Sequence, residues 1–291
     1  MHENLIILAG GASSRMKKEA KAVLNNDLTT QANTRTKSLI SIDDTGRPLL
    51  DYLLFNAKQA GYTKIYIVIS EKEKLIKEFY GDENNENDFY GLTINYAVQY
   101  IPTDRVKPLG TADALHQALI QYPELNSEIY TVCNSDNLYS KNALQALRST
   151  NSMNAFMSYD RDALQFSMQR IAQFALVSLD EEGFLKEIIE KPSIQDSSLY
   201  KDDMGKLRVS MNIFKFDGTM FQNYVANCPI DEKRKEKELP TALMNMVKEH
   251  PKSIKGIPIS EHVPDLTSKE DIAILREYIK IYYTGMDWDI S

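Results

Sequence analysis

The chain has little cysteine, one tryptophan, four histidines and no long apolar run. Cys133 and Cys228 are too few and too far apart in sequence for a disulfide framework or a zinc site, which favours a reducing compartment. No run approaches the ~20 apolar residues that cross a bilayer. The N-terminus also lacks the basic segment, apolar core and cleavage site of a signal peptide. We therefore expect a soluble, cytoplasmic protein.

An excess of positive charge is missing as well. The 291 residues include 34 Lys and Arg against 41 Asp and Glu, a net charge of -7 at pH 7. Duplex DNA and anionic membranes would be repelled, so we expect neither nucleic acid nor membrane as a partner. A small anionic ligand can still bind at local basic groups, and a homo-oligomer is compatible with this composition.

Short apolar runs alternate with amphipathic stretches in the first half of the chain. Strands are predicted at Leu5–Leu8, Ile65–Ile69, Ile94–Val98 and Ile129–Cys133, with helices at Pro48–Ala60, at Glu71–Tyr80, from near Thr111, and at Lys141–Arg148. The second half predicts a hairpin of Phe174–Asp180 and Phe184–Glu190, strands at Val209–Phe216 and Ile254–Ile259, and helices at Leu239–Glu249 and Ser268–Tyr283. This order predicts an α/β fold with a doubly wound, mainly parallel mixed sheet.

Three polar segments interrupt this pattern. Lys17–Thr36 has no hydrophobic periodicity, and Gly81–Asp88 is rich in Asn and Asp, so both are predicted to be surface excursions. The charge run at the end of Ile230–Glu238 is typical of a solvated connection or a helix start.

The first predicted strand is followed by a loop suited to phosphate. Gly10 and Gly11 can take backbone angles that a Cβ would forbid, and Arg15 can close over a ligand with a planar guanidinium. The alternative is an ordinary strand-to-helix turn with a surface arginine. Ligands of open α/β sheets bind at the carboxyl ends of the strands, so the residues directly after each further strand are candidates for the same site.

Further positions favour an anion or a nucleobase. Lys37 lies further along the chain than the loop and could bring a second positive charge to the same edge, with an ordinary surface lysine as the alternative. Gln99 follows the third strand, Gly110 lies in the loop after it, and the next helix begins near Thr111. An exposed helix N-terminus beside a glycine favours an anion or a stacked base, whereas a capped helix start is the alternative interpretation.

Carboxylates occupy other predicted element ends. Asp136 follows the fourth strand, where it is either a magnesium ligand or part of an Asx turn. Glu190 and Lys191 end a strand before Pro192 and are suited to hydroxyl and phosphate groups respectively, although a charged strand end without function is the alternative. Asp265 precedes the last helix, which Thr267 or Ser268 can cap, and is available as a second metal carboxylate.

Taken in order, these residues resemble the nucleotidyltransferases that make nucleotide-activated sugars, the NDP-sugar pyrophosphorylases. The resemblance runs from Leu5 to about Asp271. It rests on the loop Leu8–Met16, Lys37, the Leu109–Ala114 segment, Asp136, Glu190-Lys191-Pro192 and Asp265. It implies a Rossmann-like, GT-A-type fold in a single catalytic domain, 1–291. Residues 1–150 would then be the nucleotide-binding half, and 151–291 the sugar-phosphate-binding half with the terminal helix.

The resemblance also implies a reaction, in which a sugar 1-phosphate oxygen attacks the α-phosphate of a nucleoside triphosphate and pyrophosphate leaves. Catalysis would be mainly positioning and charge neutralisation by Arg15, Lys37 and Lys191. The site residues carried over from the family form three groups: Ala9, Gly10, Gly11, Gln99, Gly110 and Thr111 for the nucleotide, Glu190, Lys191 and Asn212 for the sugar phosphate, and Asp136 and Asp265 for Mg2+.

Departures from the family pattern leave the substrates open. Lys17–Thr36 is longer than the family norm and resembles an insertion that could cover the triphosphate. Asn212 stands where many members have glycine, which could change the sugar preference. Two further hypotheses remain: transfer to a non-sugar acceptor such as phosphocholine, and a non-catalytic subunit that senses nucleotides or sugar phosphates.

Overall fold

The computed structural model describes residues 1–11, 13, 15–17, 26–81, 87–190 and 199–288. Strands β1 to β10 are Asn4–Leu8, Lys64–Ser70, Asp88–Phe89, Leu92–Gln99, Ile129–Asn134, Ala155–Asp160, Leu176–Leu179, Leu185–Ile189, Arg208–Asp217 and Lys255–Ile259. Helices α1 to α9 are Asn26–Thr34, Leu49–Gln59, Leu75–Tyr80, Thr111–Gln121, Lys141–Ser149, Met168–Ile171, Gly218–Ala226, Leu239–Glu249 and Glu270–Tyr282. Short 3-10 helices cover Lys37–Leu39, Pro123–Asn126 and Arg161–Ala163.

The strands form one mixed sheet in the order β10-β6-β9-β5-β1-β2-β4-β3, with β7 pairing with β8 and β9. β1 is parallel to both β2 and β5, β2 to β4, and β6 to β10. β9 runs antiparallel between β5 and β6. The predicted α/β class with a mainly parallel mixed sheet is therefore confirmed.

Both faces of the sheet are covered, because side chains alternate along each strand. In β1, Leu5 and Ile7 join one apolar cluster, which includes α2, α5 and α9. Ile6 joins the other, which includes α4, α7 and α8. Among the described residues, no helix is both long and apolar enough to span a membrane.

The prediction for Lys17–Thr36 was wrong over its second part, and residues 18–25 of this segment lie outside the described range. Asn26–Thr34 is a helix, α1, that buries Leu28 and Ala32. Its Gln31 accepts a hydrogen bond from the buried Ser41 backbone N–H at 3.0 Å. The helix was missed because two apolar side chains among polar ones give almost no periodicity. Residues 82–86 of the other excursion, Gly81–Asp88, also lie outside the described range.

Sequence reasoning also missed β6 and α7. β6 reads Ala-Phe-Met-Ser-Tyr-Asp and is fully buried, but it has no β-branched residue that would signal a strand. Its conformation results from pairing with β9 and β10 on its two sides. Tertiary context, rather than local propensity, determines this strand.

Candidate active site

The carboxyl ends of β1, β4 and β5 meet at one edge of the sheet and open onto a cleft of about 280 Å³, here called the first cleft. The predicted residues around it are Ala9, Gly10, Gly11, Lys37, Gln99, Gly110, Thr111 and Asp136. Arg15 and Asp265 do not line it. Arg15 is exposed and has no ion pair among the described residues.

Gly10 is required for a reason other than the predicted one. Neither Gly10 nor Gly11 has a positive φ, whereas Ser13 does, at 52°. A Cβ on Gly10 would lie 2.9 Å from Gln99 Oε1, so the glycine makes room for that side chain. Gly11 has no such neighbour within 4 Å, and its Cα side is open for the approach of a ligand.

Gln99 is fixed in turn by the helix that comes after it. Its side chain is 2% exposed, and its Nε2 donates to Gly110 O at 3.0 Å and to Asp113 Oδ2 at 2.9 Å. Gly110 has φ 114° and ψ -177°, a conformation open only to glycine. The Gln99 side chain and the Gly110 backbone, two of the predicted nucleotide-binding positions, are therefore held by these contacts.

The charge run, predicted to be a solvated connection or a helix start, is packed against this loop at its C-terminal end. Lys237 N donates to Leu109 O at 2.6 Å, and Lys237 O accepts from Ala112 N at 3.0 Å. Thr111 does not cap its own helix, because its hydroxyl accepts from Leu239 N at 3.0 Å and so caps α8. Glu236 lines the first cleft, so the run contributes to the site.

Lys37 and Asp136 form an ion pair, with Lys37 Nζ 2.8 Å from Asp136 Oδ2. The lysine side chain is 11% exposed. Asp136 and Asp265 are brought together by backbone pairing, since Asn137 forms a β-bridge with Asp265 and Leu266 N donates to Asp136 O at 2.8 Å. The two carboxylates predicted to bind metal thus come from adjacent backbone segments, although they are distant in sequence.

Burial raises the pKa of Asp265, the charge of Asp136 raises it further, and Arg170 partly opposes both. Arg170 was missed by sequence reasoning, because nothing beside it in the sequence points to a partner and both of its aspartates lie far along the chain. It pairs with Asp265 and, at 2.7 Å, with Asp271. The hydroxyl of Thr267, expected to cap α9, instead lies 2.8 and 3.0 Å from the two oxygens of Asp265.

The donor set fits a hard divalent cation. The described part of the chain holds no group of three or more His, Cys, Asp or Glu side chains able to enclose a metal ion by itself. Asp136 and Asp265 would supply two carboxylates and leave the other positions to water and substrate phosphates. Magnesium is commonly bound in this way.

A second cleft of about 260 Å³ adjoins the first, and Thr111 and Asn134 line both. Glu190 and Asn212 line the second cleft, as do Arg234 and Glu238 of the charge run. Glu190 is exposed and lies 3.6 Å from Arg234. Lys191, the third residue assigned to this region, lies outside the described residues.

Asn212 has a left-handed backbone with φ 56°, which asparagine tolerates better than most residues and glycine tolerates best. The buried Tyr139 hydroxyl donates to Met211 O at 2.6 Å and lies 3.3 Å from Asn212 O. Tyr139 therefore holds this turn of β9 from beneath. The glycine-compatible geometry is kept, while a side chain is added to the cleft.

Comparison with known proteins agrees with this geometry. Residues 4–257 match the nucleotidyl transferase family. The bifunctional protein GlmU of Methanocaldococcus jannaschii is 22% identical over 245 residues, which are 84% of this chain and 49% of that protein. Glucose-1-phosphate adenylyltransferase 1 of Vibrio vulnificus is 27% identical over 214 residues, covering 73% of this chain and 49% of the relative.

The D-glycero-alpha-D-manno-heptose 1-phosphate guanylyltransferase of Campylobacter jejuni is 24% identical over 230 residues, 75% of this chain and 85% of that protein. This chain spans about half the length of the first two relatives. The family match covers most of the chain, from β1 to β10, and the resemblance found in the sequence is confirmed. The chain therefore belongs to the nucleotidyl transferase family.

Proposed function

We propose that this protein transfers a nucleotidyl group from a nucleoside triphosphate to a sugar 1-phosphate in a Mg2+-dependent reaction. The observation that carries the proposal is the pair of adjoining clefts, which share Thr111 and Asn134. The first is lined by an open glycine backbone, a buried lysine and a carboxylate, and the second by polar and charged side chains that can hydrogen-bond to hydroxyl groups. Two polyanionic substrates could meet at the shared wall.

In the proposed reaction a phosphate oxygen of the sugar 1-phosphate forms a bond to the α-phosphorus of the triphosphate. The bond from that phosphorus to the bridging oxygen breaks, and pyrophosphate leaves with the electron pair. A bound Mg2+ would neutralise phosphate charge and polarise the α-phosphate. Asp136 and Asp265 would hold it.

The chain's own residues would mainly orient and neutralise the substrates. The triphosphate would bind to the backbone of Ala9, Gly10 and Gly11. The nucleobase would contact Gln99, Gly110 and Thr111. Lys37 would exchange its carboxylate partner for a phosphate at the reacting centre.

Four further residues have proposed roles. Arg15 would bind the leaving pyrophosphate, and Lys191 the phosphate of the acceptor. Glu190 would accept hydrogen bonds from sugar hydroxyls, and the side chain of Asn212 would influence which sugar fits. Compared with glycine, the Asn212 side chain adds a polar group to the lining of the second cleft, in a left-handed conformation that asparagine tolerates.

The test is a pyrophosphate-release assay over the common nucleoside triphosphates, each paired with hexose, aminosugar and heptose 1-phosphates in the presence of Mg2+. We expect turnover with at least one pair. Asp136→Asn should lower the rate by at least about 100-fold, because it removes a charge that holds the metal at the transition state. Asp44→Asn, which alters an exposed carboxylate paired with Arg276, is the matched control.

Other outcomes separate the alternative hypotheses. If turnover occurs only with phosphocholine or another non-sugar phosphate, the acceptor is not a sugar 1-phosphate, but the protein is still a nucleotidyltransferase. Triphosphate binding in a thermal-shift panel that is unchanged in Asp136→Asn, together with no turnover, would favour a sensing subunit.

A further inference from the structure

We propose that Arg170 is a positioning residue that holds the Asp265 carboxylate in its metal-binding orientation. This inference rests on the proposed function. Arg170 lies in α6, a helix of a single turn, with its guanidinium 4.5 Å from the centre of the Phe166 ring. One nitrogen, Nη2, donates to Asp265 Oδ2, and Nη1 donates to Asp271 Oδ1 at 2.7 Å. A planar guanidinium that is hydrogen-bonded through Nη1 and Nη2 and lies over an aromatic ring has little freedom to move.

The far end of this bridge is anchored in the backbone. Asp271 Oδ2 accepts from Thr267 N at 2.9 Å and from Ser268 N at 2.7 Å, at the start of α9. The Asp271 carboxylate is therefore fixed to the backbone at the start of α9. Its hydrogen bond with Arg170 fixes the guanidinium relative to the same helix. Arg170 transmits that position to Asp265, whose side chain is 13% exposed.

The same arrangement occurs at both metal-binding carboxylates. Asp136 Oδ2 is held by Lys37 at 2.8 Å, and Asp265 Oδ2 is held by Arg170. No cation among the described residues pairs with Oδ1 of either aspartate. Before the substrates bind, each carboxylate thus has one oxygen held by a protein cation, and the other oxygen would face a shared metal ion. On Asp265 that second oxygen, Oδ1, has the neutral Thr267 hydroxyl 3.0 Å away, which a metal ion can displace towards Oδ2.

Holding is needed because the two carboxylates repel each other. Asp136 and Asp265 lie on bridged backbone segments, and like charges at close range favour turning one group away. Arg170 offsets this repulsion and holds the Asp265 carboxylate in place before the metal arrives. Groups that orient metal-binding side chains typically change metal affinity by about 10–100-fold when they are removed.

The segment that carries Arg170 also reaches the acceptor region. Gln165 N donates to His262 Nδ1 at 3.1 Å, three residues before Asp265. Shortly after α6, Gln173, Phe174 and Ala175 form part of the second cleft. Loss of the Arg170 bridge should therefore weaken acceptor binding as well as metal binding.

The test is a titration of the intact chain with Mn2+, monitored by the electron paramagnetic resonance signal of the free ion. We expect Arg170→Met to bind Mn2+ about 10–100-fold more weakly than the wild type. Arg170→Lys should lie between them, because a lysine keeps the charge but cannot bridge two carboxylates. Arg276→Met removes another arginine–aspartate pair, that with Asp44, and should bind Mn2+ like the wild type.

The sign of the effect decides between a positioning cation and a competing one. An Arg170→Met protein that binds Mn2+ as tightly as the wild type, or more tightly, would overturn the inference, since tighter binding is expected of a cation that merely competes with the metal. If Arg170→Met does not fold, as judged by circular dichroism, the Arg170→Lys titration carries the test alone. A lysine variant with unchanged Mn2+ affinity then overturns the inference.

Failure of this inference is distinguishable from failure of the proposed function. A wild type that turns over and binds Mn2+, with unchanged affinity in both variants, refutes only the role of Arg170. A wild type that neither binds Mn2+ nor releases pyrophosphate refutes both. In a supported outcome, the KM for the sugar 1-phosphate should rise in Arg170→Lys more than the KM for the triphosphate.

Discussion

Replacing Gly110 with alanine tests whether the loop before α4 depends on close packing against the charge run. Gly110 has φ 114° and ψ -177°, and an added Cβ would lie 2.4 Å from Lys237 O and 2.9 Å from Lys237 N. Neither neighbour can rotate away, because both are backbone atoms in hydrogen bonds with Leu109 and Ala112. The charge run would have to separate from the loop, and those bonds would lengthen or break.

Two contributions set the size of the effect. A glycine-only backbone conformation costs a substituted residue about 1–3 kcal/mol. Overlap with a packed neighbour costs about 1–3 kcal/mol more. We therefore expect Gly110→Ala to lower the free energy of unfolding by roughly 2–6 kcal/mol. With an unfolding entropy of about 2.1 cal/mol/K per residue over 291 residues, this corresponds to a Tm lower by roughly 3–10 °C.

The measurement is urea and thermal unfolding monitored by circular dichroism. Gly91→Ala is the matched control, because Gly91 has φ 81° but nothing within 4 Å of an added Cβ. This control measures the cost of a side chain at positive φ without the steric overlap that an added Cβ causes at Gly110. Equal destabilisation of the two variants would show that Lys237 does not press on Gly110, and the packing argument would be wrong.

Three further predictions concern buried groups. Gly10→Ala should displace the Gln99 amide from its two hydrogen bonds, lower the unfolding free energy by about 1–3 kcal/mol and raise the KM for the triphosphate. Burial is the main cause that lowers the pKa of His2 to about 3 and the pKa of His262 to about 4. Below about pH 6.5 the two histidines therefore bind protons in the unfolded chain but not in the folded one. The unfolding free energy should fall as the pH drops from 6.5 towards 4, and replacing both histidines with glutamine should flatten that slope in denaturation curves. Trp288→Ala should cost about 3–5 kcal/mol by circular dichroism, because this 4% exposed ring packs against three other aromatic rings.

Each of these has a contrary result. Gly11 has no neighbour within 4 Å of an added Cβ, so a Gly10→Ala protein no less stable than Gly11→Ala would contradict the Gln99 contact. A pH slope unaltered by the histidine replacements would place its origin in other groups. A loss below about 1 kcal/mol for Trp288→Ala would mean that the ring is not part of the packed core.

Much of the fold could be predicted because local patterns and global topology agree. Leu5–Leu8 and Ile129–Cys133 are short apolar runs that only a strand buried on both faces accommodates, and the structure has them as neighbours in β1 and β5. β6 could not be predicted in this way, since its residues are ordinary and its partners lie far away in sequence. α1 was missed because its stability comes from docking onto the core rather than from its own periodicity.

The candidate site divides in the same way. Gln99 and Asp136 could be selected from sequence, because each lies at or directly after the carboxyl end of a strand. Lys37, in a 3-10 helix far from the end of β1, was selected through its charge and its match to the family lysine. Arg170 could not, since its significance depends on two aspartates about a hundred residues away. The role of the charge run also emerged only when its backbone was found against Gly110.

By itself, the sequence determined the alternation of strands and helices, the edge of the sheet at which the candidate site lies, and the family. These properties depend on short-range periodicity and on the residue types at the end of each strand. The tertiary structure alone decided that Gly10 makes room for Gln99, that Thr111 caps a helix distant in sequence, and that Arg170 holds Asp265. Those contacts join segments separated by tens of residues or more, and no local pattern records a pairing that exists only after the chain has folded.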